Sequence, residues 1–119
     1  MPKILIIDDS RYARLKMSKP IAEAGYEVLE AENGLEGLDL VRKEKPDCII
    51  CDLLMPVMDG YAFLENIKKE KITIPVLVLT SDIQDKTREK ALALGAIDLI
   101  NKPPKYAEVI EKLNSVIGR

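Results

Sequence analysis

Apolar runs alternate along this chain with longer stretches in which apolar residues recur every third or fourth position. Ile4 to Ile7, Cys48 to Cys51 and Val76 to Leu79 are apolar throughout, the pattern of parallel strands covered on both faces. The periodic stretches carry one apolar stripe each, as helices lying against a sheet do. The predicted strands are Lys3 to Asp8, Glu27 to Ala31, Asp47 to Asp52, Pro75 to Leu79 and Ile97 to Asn101. A first helix is predicted from Ser10, an N-cap, towards Ala24, closed by Gly25. Pro20 lies inside it, removing a hydrogen bond and crowding the carbonyl of Lys16, so a kink or break is expected near Ser18. After a turn at Asn33 and Gly34, Leu35, Leu38 and Val41 set the stripe of a second helix that stops before Pro46. Asp59 and Gly60 open a third, carrying Phe63, Leu64 and Ile67. The fourth runs from about Ile83 to Leu94, capped by Ser81 or Asp82 and closed by Gly95. The fifth, Lys105 to Val116, has Tyr106, Val109, Ile110, Leu113 and Val116 on one face.

Strands alternating with helices in this way indicate an α/β fold, a doubly wound five-stranded parallel sheet with right-handed crossovers and helices on both faces. Among the usual strand orders is 2-1-3-4-5, in which the first and third strands are neighbours at the switch point. Asp8, Asp9 and Asp52 then share one pocket at the carboxyl edge of the sheet, with Thr80 and Lys102 along the same rim. Unit charges ~5 Å apart at an effective dielectric of 20 repel by about 3 kcal/mol per pair. Something positive should therefore bind there, and a hard cation with oxygen ligands is the natural candidate.

At 119 residues and 47% hydrophobic content, the chain fits a single domain, residues 1–119, with one core. Its 20 acidic and 18 basic side chains are spread along the sequence, which argues against direct nucleic-acid binding. The apolar runs are too short to span a bilayer and no signal peptide is evident, so no membrane insertion and a cytoplasmic location are expected. Cys48 and Cys51 are spaced like a redox pair or half a zinc site. On a strand, residues three apart point to opposite faces, and the chain has no histidine and no further cysteine. Both are read as reduced core residues.

Five short motifs make the reading more specific: IIDDS at 6–10, DLLMPVMDG at 52–60, LTS at 79–81, GA at 95–96 and NKP at 101–103. Together, in this order and spacing, they resemble the receiver domain of two-component response regulators, the CheY-like branch of the flavodoxin-like folds. The resemblance implies that Asp52 accepts a phosphoryl group from a phosphohistidine on a sensor histidine kinase or phosphotransfer protein. It implies Mg²⁺ held by Asp9 and Asp52, by Asp8 through water, and by the backbone carbonyl of Leu54. Lys102 would pair with a phosphoryl oxygen and Thr80 would donate a hydrogen bond to another. Relatives usually have a cis peptide before the proline of the NKP motif, here Lys102-Pro103. The fourth helix, fifth strand and fifth helix, residues 83–116, would switch between two states and meet a downstream protein target. The protein would then be a phosphoacceptor that assists its own phosphorylation and dephosphorylation, not an enzyme acting on a separate substrate.

Two positions depart from the family pattern. Leu99 stands where receivers usually carry an aromatic residue that swings inward on activation, so a ring rotation is not available as the readout. Leu54 replaces the polar residue that in many relatives helps place the hydrolytic water, which predicts slow self-dephosphorylation unless Asp82 orients water instead. Other readings use the same fold. A phosphohydrolase of the haloacid dehalogenase type needs a second acid at position 54, and a flavin carrier needs phosphate-binding loops rather than an acidic pocket. A receiver-fold interaction module that docks without phosphorylation is the alternative that the sequence leaves open.

Overall fold

The computed structural model of the chain describes residues 1–82 and 84–119. Its elements follow in the order β1 (Lys3–Ile7), α1 (Arg11–Glu23), β2 (Glu27–Ala31), α2 (Gly34–Glu44), β3 (Cys48–Asp52), α3 (Gly60–Lys69), β4 (Val76–Thr80), α4 (Asp85–Ala93), β5 (Asp98–Asn101) and α5 (Tyr106–Ile117). The strands form one parallel sheet in the order β2-β1-β3-β4-β5, as expected. Register aligns their carboxyl ends: Ile7 faces Ala31 and Cys51, Asp52 faces Leu79, and Thr80 faces Asn101.

Alternation along the strands divides the core in two. Leu5, Ile7, Ile49, Cys51, Val76 and Val78 point to the side of α2 and α3, where Leu38, Val41, Phe63, Leu64 and Ile67 meet them. Ile4, Ile6, Cys48, Ile50, Leu77, Leu79 and Ile100 point to the other side, against Met17 and Ile21 of α1 and Val109 and Leu113 of α5. The two cysteines are therefore on opposite faces, both free and buried. Burial pushes the Cys48 thiol up to about 12, and burial with the charges of Asp52 and Asp8 pushes Cys51 well above the ordinary thiol value. Burial thus disfavours the thiolate, the form that reacts and binds metal, at both positions.

Local differences from the sequence expectations have physical causes. No break separates the residues around Ser18: α1 is continuous with Pro20 inside it. Met17 and Ile21 are buried on the same face against the sheet, and burying each is favourable by about 2 kcal/mol, enough to offset a missing backbone bond. Asn33 and Gly34 form no separate turn: the Asn33 side chain accepts from the Glu36 N–H as N-cap, and Gly34 is already helical. The buried face of α2 is Gly34, Gly37, Leu38 and Val41, which leaves Leu35 exposed. Gly37 lets this face approach β1, since a Cβ there would stand 2.4 Å from Ile7 Cδ1. Helix α4 starts at Asp85 with Gln84 as its cap position, so Ser81 and Asp82 do not cap it, and the predicted start at Ile83 lies outside the described residues. Strand ends shift by a residue or so, with Asp8 just beyond β1, Asp47 before β3, and Thr80 inside β4.

Candidate functional site

The strand register and the turns that follow it assemble one polar site at the carboxyl edge of the sheet. Asp8 follows β1 directly, and its N–H donates to the Ala31 carbonyl at 3.1 Å as though the strand continued. Its Oδ1 accepts from the Ser10 N–H at 2.9 Å, while the Ser10 hydroxyl accepts from the Ala13 N–H and starts α1. Asp52 ends β3, the central strand, and its Oδ1 accepts from the Leu54 N–H at 3.4 Å as the chain turns back over it. Asp8 and Asp52 are almost fully buried, whereas Asp9 is exposed. Each of the three offers a carboxylate oxygen, and these oxygens lie within 4.8 Å of one another.

Lys102 reaches this cluster from β5. The Lys102 N–H donates to the Thr80 carbonyl at 2.9 Å, and the Lys102-Pro103 peptide is cis, as the resemblance implies. Its Nζ lies 2.7 Å from Asp52 Oδ2 and 3.5 Å from Asp8 Oδ2. Burial raises the pKa of Asp52 above the ordinary aspartate value. The Lys102 ammonium pulls it down, and the charge of Asp8 adds to the rise. Burial works against the Lys102 ammonium, but its bond to Asp52 and the charges of Asp52 and Asp8 hold its pKa above the usual lysine value. A buried carboxylate that is still crowded by a second acid has unmet demand for positive charge. Oxygen donors at this spacing fit a hard divalent cation.

Thr80, buried at the end of β4, has its Oγ1 accepting from the Asp82 N–H at 3.0 Å. The Asp82 carboxylate is held by groups beyond the site: it accepts from Gln84 N–H at 3.0 Å and from the Thr87 hydroxyl at 2.6 Å. The Leu54 side chain is 74% exposed beside Asp52. Leu99 is half-buried and packs on the α2 and α3 side of the core.

The model of the response regulator receiver domain family matches residues 4–114. The chain belongs to that family. Protein PilH of Pseudomonas aeruginosa is 34% identical over 120 residues, 99% of each chain. The chemotaxis protein CheY4 of Vibrio cholerae is 34% identical, and its crystal structure superposes with a TM-score of 0.91 over 98% of both chains. The probable transcriptional regulator ycf27 of Porphyridium aerugineum is 37% identical over 98% of this chain but only 48% of its own length. The receiver domain thus spans nearly all of some relatives and about half of others.

The five side chains singled out in the sequence, those of Asp8, Asp9, Asp52, Thr80 and Lys102, all lie on this edge of the receiver domain. Sequence reasoning missed the groups that hold them. The Arg14 guanidinium donates to the Asp8 carbonyl at 2.7 Å, and Thr87 anchors Asp82. A basic residue one turn into a helix carries no signal that it folds back on the preceding strand end.

Proposed function

We propose that this receiver domain is a phosphorylation-operated switch in which Asp52 takes a phosphoryl group from a phosphohistidine of a sensor histidine kinase or phosphotransfer protein. The observation that carries the reading is the pairing of Asp52 with Lys102 inside the acidic cluster. An Asp52 carboxylate oxygen would bond to phosphorus as the phosphorus–nitrogen bond breaks, leaving the imidazole to the donor. Lys102 would transfer its contact from Asp52 to a phosphoryl oxygen, and the Thr80 hydroxyl, whose oxygen already accepts from Asp82, has its proton free to donate to another. Asp8, Asp9, Asp52 and the Leu54 carbonyl would hold Mg²⁺, which when bound offsets negative charge on the transferring group.

The output would be read on α4, β5 and α5 by a downstream protein target. Supporting this, α4 is polar and has only Thr87 and Ala91 buried, so few contacts resist its movement. Asp98 of β5 ties that face together through Lys112 of α5 at 2.6 Å and Arg88 of α4 at 3.4 Å. The balance of charge supports a protein partner over nucleic acid. Among the described residues no helix is long and apolar enough to cross a membrane, which fits a cytoplasmic switch without membrane insertion. The test is the intact mass of the protein after incubation with Mg²⁺ and acetyl phosphate. One phosphoryl adduct is expected, lost in Asp52→Asn and in chelator. No adduct, together with no binding of beryllofluoride, would favour a module that docks without phosphorylation.

A further inference from the structure

The acids of the β1–α1 turn are held by a contact that lies outside the reacting groups. Arg14 is largely buried, with its side chain 12% exposed. Its Nη1 donates to the main-chain carbonyl of Asp8 at 2.7 Å, and its Nε donates to Glu30 Oε1 at 3.1 Å. Glu30 precedes Ala31, whose carbonyl accepts from the Asp8 N–H. The end of β2 therefore grips Asp8 at both of its backbone polar groups, directly at the N–H and through the guanidinium at the carbonyl. Among the described residues the Asp9 carboxylate has no hydrogen-bond partner, so its aim is set by the backbone of this turn alone.

We infer that Arg14, braced by Glu30, is a positioning residue that fixes the β1–α1 turn so that Asp8 and Asp9 present their carboxylates to a divalent cation. The inference rests on the cation reading of the acidic cluster. It differs in sign from the simple electrostatic expectation. A cationic group near three acids disfavours binding of another cation, so removing its charge alone would strengthen Mg²⁺ binding. Removing a brace weakens binding, because the ligands must then be ordered by the ion itself.

The experiment is calorimetric titration of the full chain with Mg²⁺, for wild type, Arg14→Met, Glu30→Gln and Glu30→Ala, with chelator-treated stability measured in parallel. Positioning predicts roughly tenfold weaker binding in Arg14→Met. Binding equal to or tighter than wild type would overturn it. Glu30→Gln keeps an acceptor for Nε and should bind as wild type does, while Glu30→Ala should weaken. Equal loss in both would mean that only the charge of Glu30 matters, which also overturns the inference. If Arg14→Met fails to fold, the Glu30 pair decides alone. A wild type that takes up no Mg²⁺ would overturn the cation reading itself, whereas uptake that is indifferent to Arg14 and Glu30 would overturn the brace and leave that reading standing.

Discussion

Lys102 Nζ lies 2.7 Å from Asp52 Oδ2 although fifty residues separate the two in sequence. The pair joins the ends of β3 and β5 across β4, and Asp8 at 3.5 Å makes it a triad of two acids and one base. Because the Lys102 ammonium already pairs with Asp52, under the proposed function it would compete with a bound cation and serve a phosphoryl group. Lys102→Met should therefore bind Mg²⁺ several-fold more tightly than wild type in calorimetry. The same variant in chelator should lose about 1–3 kcal/mol of stability, because two buried carboxylates lose their counter-charge.

Mg²⁺ itself should stabilise the domain by mass action. At one hundred times its dissociation constant a ligand adds about 2.7 kcal/mol, or about 10 °C in melting temperature for a domain of this size. Thermal melts with and without Mg²⁺ measure it. Asp9→Asn should melt as wild type does in chelator and show almost no Mg²⁺ response, since Asp9 is exposed and has little structural role.

Asp52 predicts a pH dependence of stability. Burial sets its folded pKa above the ordinary aspartate value. A carboxyl shifted in that direction contributes stability that is fully present below its unfolded pKa and is lost as pH rises through the folded one. Asp52→Asn is neutral throughout, so in chelator it should be more stable than wild type near neutrality. The difference should shrink as pH falls towards about 4. Urea unfolding of both proteins across this range gives the comparison, and a constant difference would contradict the assignment.

The Leu54 side chain, two residues after Asp52, is apolar and exposed, and the Asp82 carboxylate accepts from Gln84 and Thr87. Leu54 offers no polar group to orient a hydrolytic water and Asp82 is already held by two hydrogen bonds, so an acyl phosphate on Asp52 should be long-lived. Leu54→Asn should shorten its lifetime several-fold, followed by loss of the phosphoryl mass adduct after removal of the donor. An unchanged lifetime would remove Leu54 from the account.

Gly60 ties the third helix to the loop that follows Asp52. A Cβ there would stand 2.7 Å from Leu53 Cα and 2.8 Å from the Asp52 carbonyl, both backbone atoms that cannot turn aside. Gly60→Ala should cost about 1–3 kcal/mol in denaturant unfolding and slow phosphorylation by displacing Asp52. Gly95→Ala, with open space around its Cβ, makes a useful contrast, since any loss there comes from its left-handed φ of +107° alone.

Much of this was legible in the chain because strands buried on both faces are written as unbroken apolar runs. Ile4 to Ile7 and Cys48 to Cys51 read as such strands, and once the strands are parallel the polar residues that end them fall at one sheet edge. Ser10 and Asp59 were recognisable as helix starts since capping is local chemistry, decided within three residues. Of the kink or break expected near Ser18, the break does not occur, for the opposite reason: the penalty is local, but burial of Met17 and Ile21 against a distant sheet outweighs it.

The sequence by itself thus determined the strand count, the alternation with helices, and which carboxylates and which lysine could meet, because periodicity and side-chain chemistry are properties of a few neighbouring residues. Only the tertiary structure decided how those groups are held. The grip of Arg14 on the Asp8 carbonyl, the engagement of Asp82 by Thr87, and the exposure of Leu35 and Leu54 depend on where separate elements come to rest. Hydrogen bonds and burial are fixed by distances in space, and contacts between groups many residues apart leave no local pattern from which to read them.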